Sequence, residues 1–249
     1  MSQVESNAGA AASGRSRTAR VAAEVGRAIV SGAYPERSLL PGDAELMQRF
    51  GVSRTVLREA LRTLAGKRLI QARARVGTSV LPRSEWNLFD RDVLAWQSRQ
   101  GLDPEFITHL SEMRLALEPE AAALAAMRRT RDELDAILHR LDRMAAPEIG
   151  REDYARADLD FHLAIVVAAH NPFLRSAAAL VEVALIGLLE VSSPAEDAAR
   201  LASSVDDHRR IAEAIAARDP HAAREAMKVV IGVGMRASRI GDIGRQTGG

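Results

Sequence analysis

Between Asp43 and Leu64 two short apolar patterns of helical period are separated only by Gly51-Val52-Ser53, and two β-like runs follow directly. Two helices this close must turn the chain sharply, and each must bury one face against something else. Upstream, Val21, Val25 and Ile29 recur at helical spacing from Thr18 until Ser31-Gly32 ends the segment. Leu39-Leu40-Pro41-Gly42-Asp43 then turns the chain, with Asp43 expected as the N-cap of a helix carrying Leu46, Met47 and Phe50 inward. That helix stops at Gly51, and Ser53 is the expected N-cap of the next, which puts Val56, Leu57, Ala60, Leu61 and Leu64 on one face. Leu69 to Arg73 and Val76 to Leu81 predict a hairpin turning around Arg75 to Gly77. Three helices and a hairpin make a winged helix-turn-helix, expected over 16–82 behind a disordered leader of small and polar residues at 1–15.

Charge divides the chain in the same place. Residues 15–83 hold fourteen Arg or Lys against five Asp or Glu, net +9, whereas residues 84–249 are net −7 although the whole chain is only +1. A basic module joined to an acidic remainder points to a polyanion partner for the first part, against the alternative of an incidental charge gradient on a solvated surface. The chain has no cysteine, which excludes disulfides, thiolate metal sites and cysteine nucleophiles, so a metal would need histidine and carboxylate. No apolar run approaches the roughly 18 residues of a membrane helix, and a cytoplasmic location is expected.

Beyond Pro82 the periodicity is helical almost to the end, in keeping with 45 alanines and 4% aromatic residues. Asp103-Pro104 opens a long helix, Thr130 with Glu133 forms a capping box, and Pro147, Asn171-Pro172, Pro194 and Asp219-Pro220 punctuate the rest. The expectation is a mainly α chain: the winged helix, a linker at 83–89, an all-α bundle of six or seven helices at 90–237 and a flexible tail at 238–249. Trp86 and Trp96 are expected as packing anchors between the domains rather than as ligand-stacking groups.

The helix after Gly51 has the pattern of a recognition helix. Such helices read bases with their N-terminal residues, and Arg54 and Arg58 share a face there. Either arginine can fork to the O6 and N7 of guanine, while Ser53 and Thr55 can reach phosphate or a thymine methyl. Arg73 and Arg75 beside Gly77 would enter a minor groove, and Arg49, like Arg17 and Arg20, would contact phosphate. Taken together, Leu40-Pro41-Gly42-Asp43-Ala44-Glu45-Leu46, then Phe50 through Leu61, and Gly77-Thr78 resemble the winged-helix domain of GntR-type transcriptional regulators. Two positions depart from that resemblance. Arg68 stands where a glycine is usual, and a left-handed cap there would cost an arginine about 1 kcal/mol; Ala44 replaces an arginine that contacts DNA in some members.

Glu112-Met113-Arg114-Leu115-Ala116-Leu117-Glu118-Pro119-Glu120 and Asp158-Leu159-Asp160-Phe161-His162, with Asn171-Pro172, resemble the FCD effector-binding domain of the FadR branch of that family, over 90–236. The resemblance implies a divalent metal held by Asp158, His162 and His208, which helps to hold an organic acid. An i, i+4 spacing puts Asp158 and His162 on one face, and a carboxylate with imidazoles suits zinc, nickel or manganese. The fourth ligand position falls on Val230, so either three protein ligands are completed by water and effector, or metal binding is weakened or lost. Without the resemblance, the Asp–His pair reads more readily as a helix-surface or partly buried ion pair and His208 as a solvated loop residue. Arg114 is the candidate for an effector carboxylate, or else the partner of Glu118 in a salt bridge. His109, His139 and His221 are expected at the surface, and Asn87 through Trp96 resembles the opening of this domain in regulators of hexonate catabolism.

These expectations add up to a homodimeric transcription factor, a repressor, that binds a pseudo-palindromic double-stranded DNA operator and releases it when a small organic acid, a sugar acid for preference, enters the helical domain. The segment from Leu81 to Leu88 would carry the coupling. The alternative is a metal-dependent enzyme in the helical domain with the winged helix as a docking module, since an Asp/His/His site with open positions could activate water.

Overall fold

The computed structural model describes the backbone of residues 2–100, 104–191 and 193–246, and the side chains of 16–100, 105–186, 189 and 193–236. The chain divides into two compact units, Met1–Gly101 and Leu102–Gly249.

The first unit is a winged helix. Helix α1 (Ser2–Val30) lies against α2 (Asp43–Phe50) and α3 (Arg54–Gly66), and strands β1 (Ile70–Arg73) and β2 (Gly77–Val80) pair antiparallel with Ile70 opposite Val80 and Arg73 opposite Gly77. Val21, Val25 and Ile29 of α1 meet Leu46 of α2, Leu57 and Leu64 of α3, and Ile70 and Val80 of the hairpin in one buried core. Leu39 adds a single bridge to Ser79, which makes the segment before α2 a stub of a third strand. Gly51 ends α2 in the left-handed conformation at φ 62°, and the Ser53 hydroxyl accepts from the Val56 amide as the cap of α3. The cap of α2 is Gly42 rather than Asp43, which makes no side-chain cap bond but sits in the first turn, where its charge suits the helix dipole. Arg68 does adopt the left-handed conformation, at φ 57°. Its guanidinium is engaged by the Glu85 carbonyl and carboxylate, each at 3.0 Å.

The segment expected as a linker belongs to this unit. A 3-10 turn (Arg83–Glu85) leads to α4 (Arg91–Ser98), and Trp86, Val93 and Trp96 are buried in the winged-helix core. Both tryptophans therefore anchor packing inside the first unit. The Trp86 indole donates to the Leu81 carbonyl at 2.9 Å. Trp96 lies so close to α1 that a Cβ on Gly26 would stand 2.1 Å from its ring. Lys67, at the end of α3, donates to both carboxylate oxygens of Asp90, at 2.8 and 2.9 Å, and pairs with Asp92 at 2.7 Å. Burial pulls the Lys67 ammonium down, but its bonds to Asp90 and Asp92 prevail and hold it above the usual lysine value. Asp90 also caps α4, accepting from the amides of Asp92 and Val93. The unit thus ends after α4, beyond the expected limit at residue 82.

The second unit is all helical among its described residues: α5 (Pro104–Arg128), α6 (Arg131–Met144), α7 (Arg151–Ala168), α8 (Pro172–Ser176), α9 (Ala178–Val191), α10 (Ala198–Ala216) and α11 (Pro220–Gln246), with a 3-10 turn at Pro194–Glu196. The capping box at Thr130 and Glu133 forms as expected, and Asn171 caps α8 ahead of Pro172. Ala122, Ala125 and Ala126 of α5, Phe161 and Ile165 of α7, Ile211 and Ile215 of α10, and Met227 and Ile231 of α11 share one core. Small side chains on α5 let it pack closely along α11. The backbone of α1 reaches back through most of the expected leader, and that of α11 runs on to Gln246 through the expected tail. The ends themselves, Met1 and 247–249, lie outside the described residues, as does Asp103. No helix among the described residues is long and apolar enough to cross a membrane.

Gly26→Ala should lower stability by about 1–3 kcal/mol through overpacking against Trp96, although alanine alone favours a helix. Thermal unfolding measures this, and an unchanged or raised midpoint would contradict the close packing of Trp96 on Gly26.

Candidate functional site

Two sites emerge, one in each unit. In the first, Ser53, Arg54, Thr55 and Arg58 are exposed at the N-terminal half of α3, while Leu57, Ala60 and Leu64 on the opposite face hold the helix to the core. A shallow groove between α3 and the hairpin is lined by Thr55, Arg58, Arg62 and Thr78. Arg62, one turn beyond Arg58, is a cation of this face that the sequence reading passed over. At the hairpin tip Arg73, Arg75 and Gly77 are all exposed. Arg75 and Gly77 have positive φ, 62° and 117°, a tight turn that brings backbone and two guanidinium groups to the end of the wing. Arg73 is steadied by the Gln71 side chain, and Arg49 donates to the Tyr34 hydroxyl at 2.9 Å with its guanidinium over the Phe50 ring.

In the second unit α7 supplies Asp158 and His162 and α10 supplies His208, all buried, with one potential ligand atom from each lying within 4.8 Å of the others. His208 sits in the middle of a helix, not in a loop. Its Nδ1 is 2.7 Å from the Ser204 carbonyl, which can only accept, so Nδ1 carries a proton, and Nε2 faces Asp158 Oδ1 at 2.9 Å. An imidazole nitrogen and a carboxylate at that separation require a proton or a cation between them. His162 Nδ1 lies 2.5 Å from Glu118 Oε2, and its Nε2 is 3.9 Å from Asp158 Oδ1. Apart from the contact of His208 with Asp158, the Nε2 atoms of both histidines are buried without a hydrogen-bond partner. A carboxylate behind the first imidazole and a carbonyl behind the second are the supports that orient metal-ligating histidines, so these residues fit a divalent cation.

Glu118 links this triad to Arg114. Arg114 Nε lies 2.5 Å from Glu118 Oε1, so the salt bridge forms, and the arginine also lines a cavity of about 210 Å³ together with Asp158, His162 and His208. Burial pushes the Glu118 carboxyl up, but Arg114 and then His162 prevail and hold it at about 2. Burial likewise opposes ionised Asp158, and the His208 hydrogen bond prevails and keeps its carboxyl below the usual range. Val230, the position on which the resemblance places a fourth ligand, lines the same cavity. His109, His139, His170 and His221 are exposed. The sequence reading missed the dual role of Glu118; its i, i+4 spacing from Arg114 identified one partner, and only the approach of α7 supplies the other.

Two outcomes follow from this geometry. Glu118 titrates at about 2 when folded against 4.5 ordinarily, so its contribution to stability is complete above pH 4.5 and is lost as pH falls toward 2. Glu118→Gln should flatten that part of the acid unfolding curve of metal-free protein. Val230→His should add a ligand and tighten zinc at least about tenfold, measured by competition with a chromophoric chelator; unchanged affinity would place residue 230 outside coordinating reach.

Comparison with known proteins agrees with both units. The model of bacterial regulatory proteins of the gntR family matches residues 17–80, and the FCD domain model matches 109–232. The galactonate operon transcriptional repressor of Escherichia coli K12 is 34% identical over 215 residues, 86% of this chain and 93% of its own. The transcriptional repressor NanR of Cronobacter sakazakii is 30% identical over 205 residues, 78% of this chain and 75% of its own. Among solved structures, a GntR protein of Streptococcus agalactiae has a TM-score of 0.50 at 25% identity and covers 88% of this chain and 99% of its own. With a recognition helix and wing in one unit, a buried histidine–carboxylate cavity in the other, and relatives that align along both, the chain belongs to the gntR family of bacterial regulatory proteins and carries a C-terminal FCD domain.

Proposed function

We propose that this protein is a homodimeric, cytoplasmic repressor that binds a pseudo-palindromic DNA operator and leaves it when a small organic acid, a sugar acid for preference, enters the cavity of the helical unit. The observation that carries the reading is the pairing of an exposed arginine-bearing recognition helix with a separate buried cavity lined by Arg114 and the Asp158–His162–His208 triad. Arg54 and Arg58 read base edges, Ser53 and Thr55 contribute phosphate or methyl contacts, Arg49 grips phosphate, and Arg73, Arg75 and Gly77 carry the wing toward the minor groove. One recognition helix covers one half-site, so a two-fold dimer matches a two-fold operator.

In the cavity, Asp158, His162 and His208 would hold zinc, nickel or manganese, which supplies a positive charge for a carboxylate. Glu118 orients His162 and fixes Arg114, whose remaining N–H groups can meet the same acid. The acid releases DNA only if it favours the arrangement of the two winged helices that fits the operator poorly. The relatives named above are transcriptional repressors, which supports this reading over a metal-dependent enzyme with a docking module.

The test is a titration at fixed salt against DNA from the region upstream of the gene, because phosphate contacts make affinity steeply salt-dependent. Specific binding that galactonate or another sugar acid weakens, with the response lost on chelation, is the expected result. Arg58→Ala should cost about 1–3 kcal/mol and relax the preference at one base position. Equal affinity for operator and random duplex would overturn the regulator reading.

A further inference from the structure

The cavity of the helical unit has unlike walls. Helix α10 lines it with Arg200, Ser203, Ser204 and Asp207, positions that share one helix face. Helices α9 and α11 contribute Leu185, Leu189, Val230 and Val233. Ser204 is already paired with the Tyr154 hydroxyl at 2.7 Å.

Asp207 is the feature that a simple acid site does not explain. Among the described lining residues the carboxylates are Asp158, which His208 engages, and Asp207. Asp207 is only 16% exposed, and Arg210 takes its Oδ1 at 2.7 Å, which leaves Oδ2 as an acceptor. Arg210 holds one oxygen and Arg200 lines the same wall, but a second anion brought directly against Oδ2 is still repelled, and covering that oxygen with a ligand is costly unless the ligand brings a donor. A hydroxyl group is such a donor, Ser203 can donate or accept beside it, and the apolar wall suits the C–H face of a carbon chain.

We infer that Asp207 selects the effector: it accepts a hydrogen bond from a hydroxyl remote from the ligand's carboxylate, so that the cavity takes polyhydroxy monocarboxylates and rejects both dicarboxylates and acids without hydroxyls. The inference rests on the reading of this cavity as an acid-effector site.

Isothermal titration of the full chain with D-galactonate, D-gluconate, galactarate and hexanoate tests it. Galactarate differs from galactonate only in carrying a second carboxylate in place of the terminal alcohol. The better aldonate should bind about 100-fold or more tightly than galactarate or hexanoate. Asp207→Asn should shrink the aldonate-to-galactarate ratio about tenfold or more, mainly by admitting galactarate, whereas Asp207→Glu, which keeps the charge, should still exclude it. A ratio unchanged in Asp207→Asn overturns the role of Asp207 and leaves the acid-site reading standing. Tight binding of galactarate or hexanoate to the unaltered protein does the same. Failure of all four acids to bind overturns both.

Discussion

Ionisable groups are costly to take out of water singly, and the helical unit takes five of them in together: Arg114, Glu118, Asp158, His162 and His208 are all almost wholly buried. Their positions hold α5, α7 and α10 in register, because each charge is acceptable only while its partner from another turn or helix stays in place. Arg114 and Glu118 satisfy one another along α5, His162 reaches Glu118 from α7, and His208 reaches Asp158 from α10. Phe161 packs edge-on against both imidazoles and keeps water from the rear of the cluster. The alanine-rich face of α5 brings that helix close enough for such short contacts.

The cluster does not close on itself, and this is where structure becomes function. His162 Nε2 remains without a hydrogen-bond partner, and Arg114 borders open space rather than solid core. A packed interior would have filled that volume with side chains. Here Val230 and Val233 leave it hollow, so a cation and an anion could enter with complementary charge. With Val230 on the cavity wall, a cation held by Asp158, His162 and His208 would have three protein ligands and would keep part of its coordination sphere for whatever enters the cavity.

Much of this was legible in the sequence. Periods of 3.6 and then 2 between Thr18 and Leu81 specified the winged helix, since each apolar position falls on the face that the core uses. Asp158 and His162 were readable because helical spacing fixes their common side. His208 and Val230 were placed by likeness to a family, not by spacing, and their sharing of a cavity depends on how α10 and α11 pack on each other and on α5. Glu118 as a support for His162 and Asp207 as part of the cavity wall were not legible, because each depends on a neighbour distant in sequence. Residues 83–89, expected as a linker, and 90–98, expected to open the helical domain, both belong to the first unit and misled for a related reason. They are rich in charge and carry an Asn and a Pro near by, the composition of a connector, yet a glycine at position 26 on α1 leaves a groove shaped for an indole that arrives seventy residues later.

Lys67, one of only two lysines in the chain, closes the seam between α3 and α4 by meeting Asp90 and Asp92. The consequence concerns where such a protein can be cut and rejoined. A fragment ended at Pro82 would bare the groove over Gly26, strip the core of Trp86 and Trp96, and strand the buried lysine without a counter-charge. One ended after Ser98 would keep all three. Anyone grafting this DNA reader onto a foreign sensor should therefore treat α4 as part of the reader and place the splice beyond it.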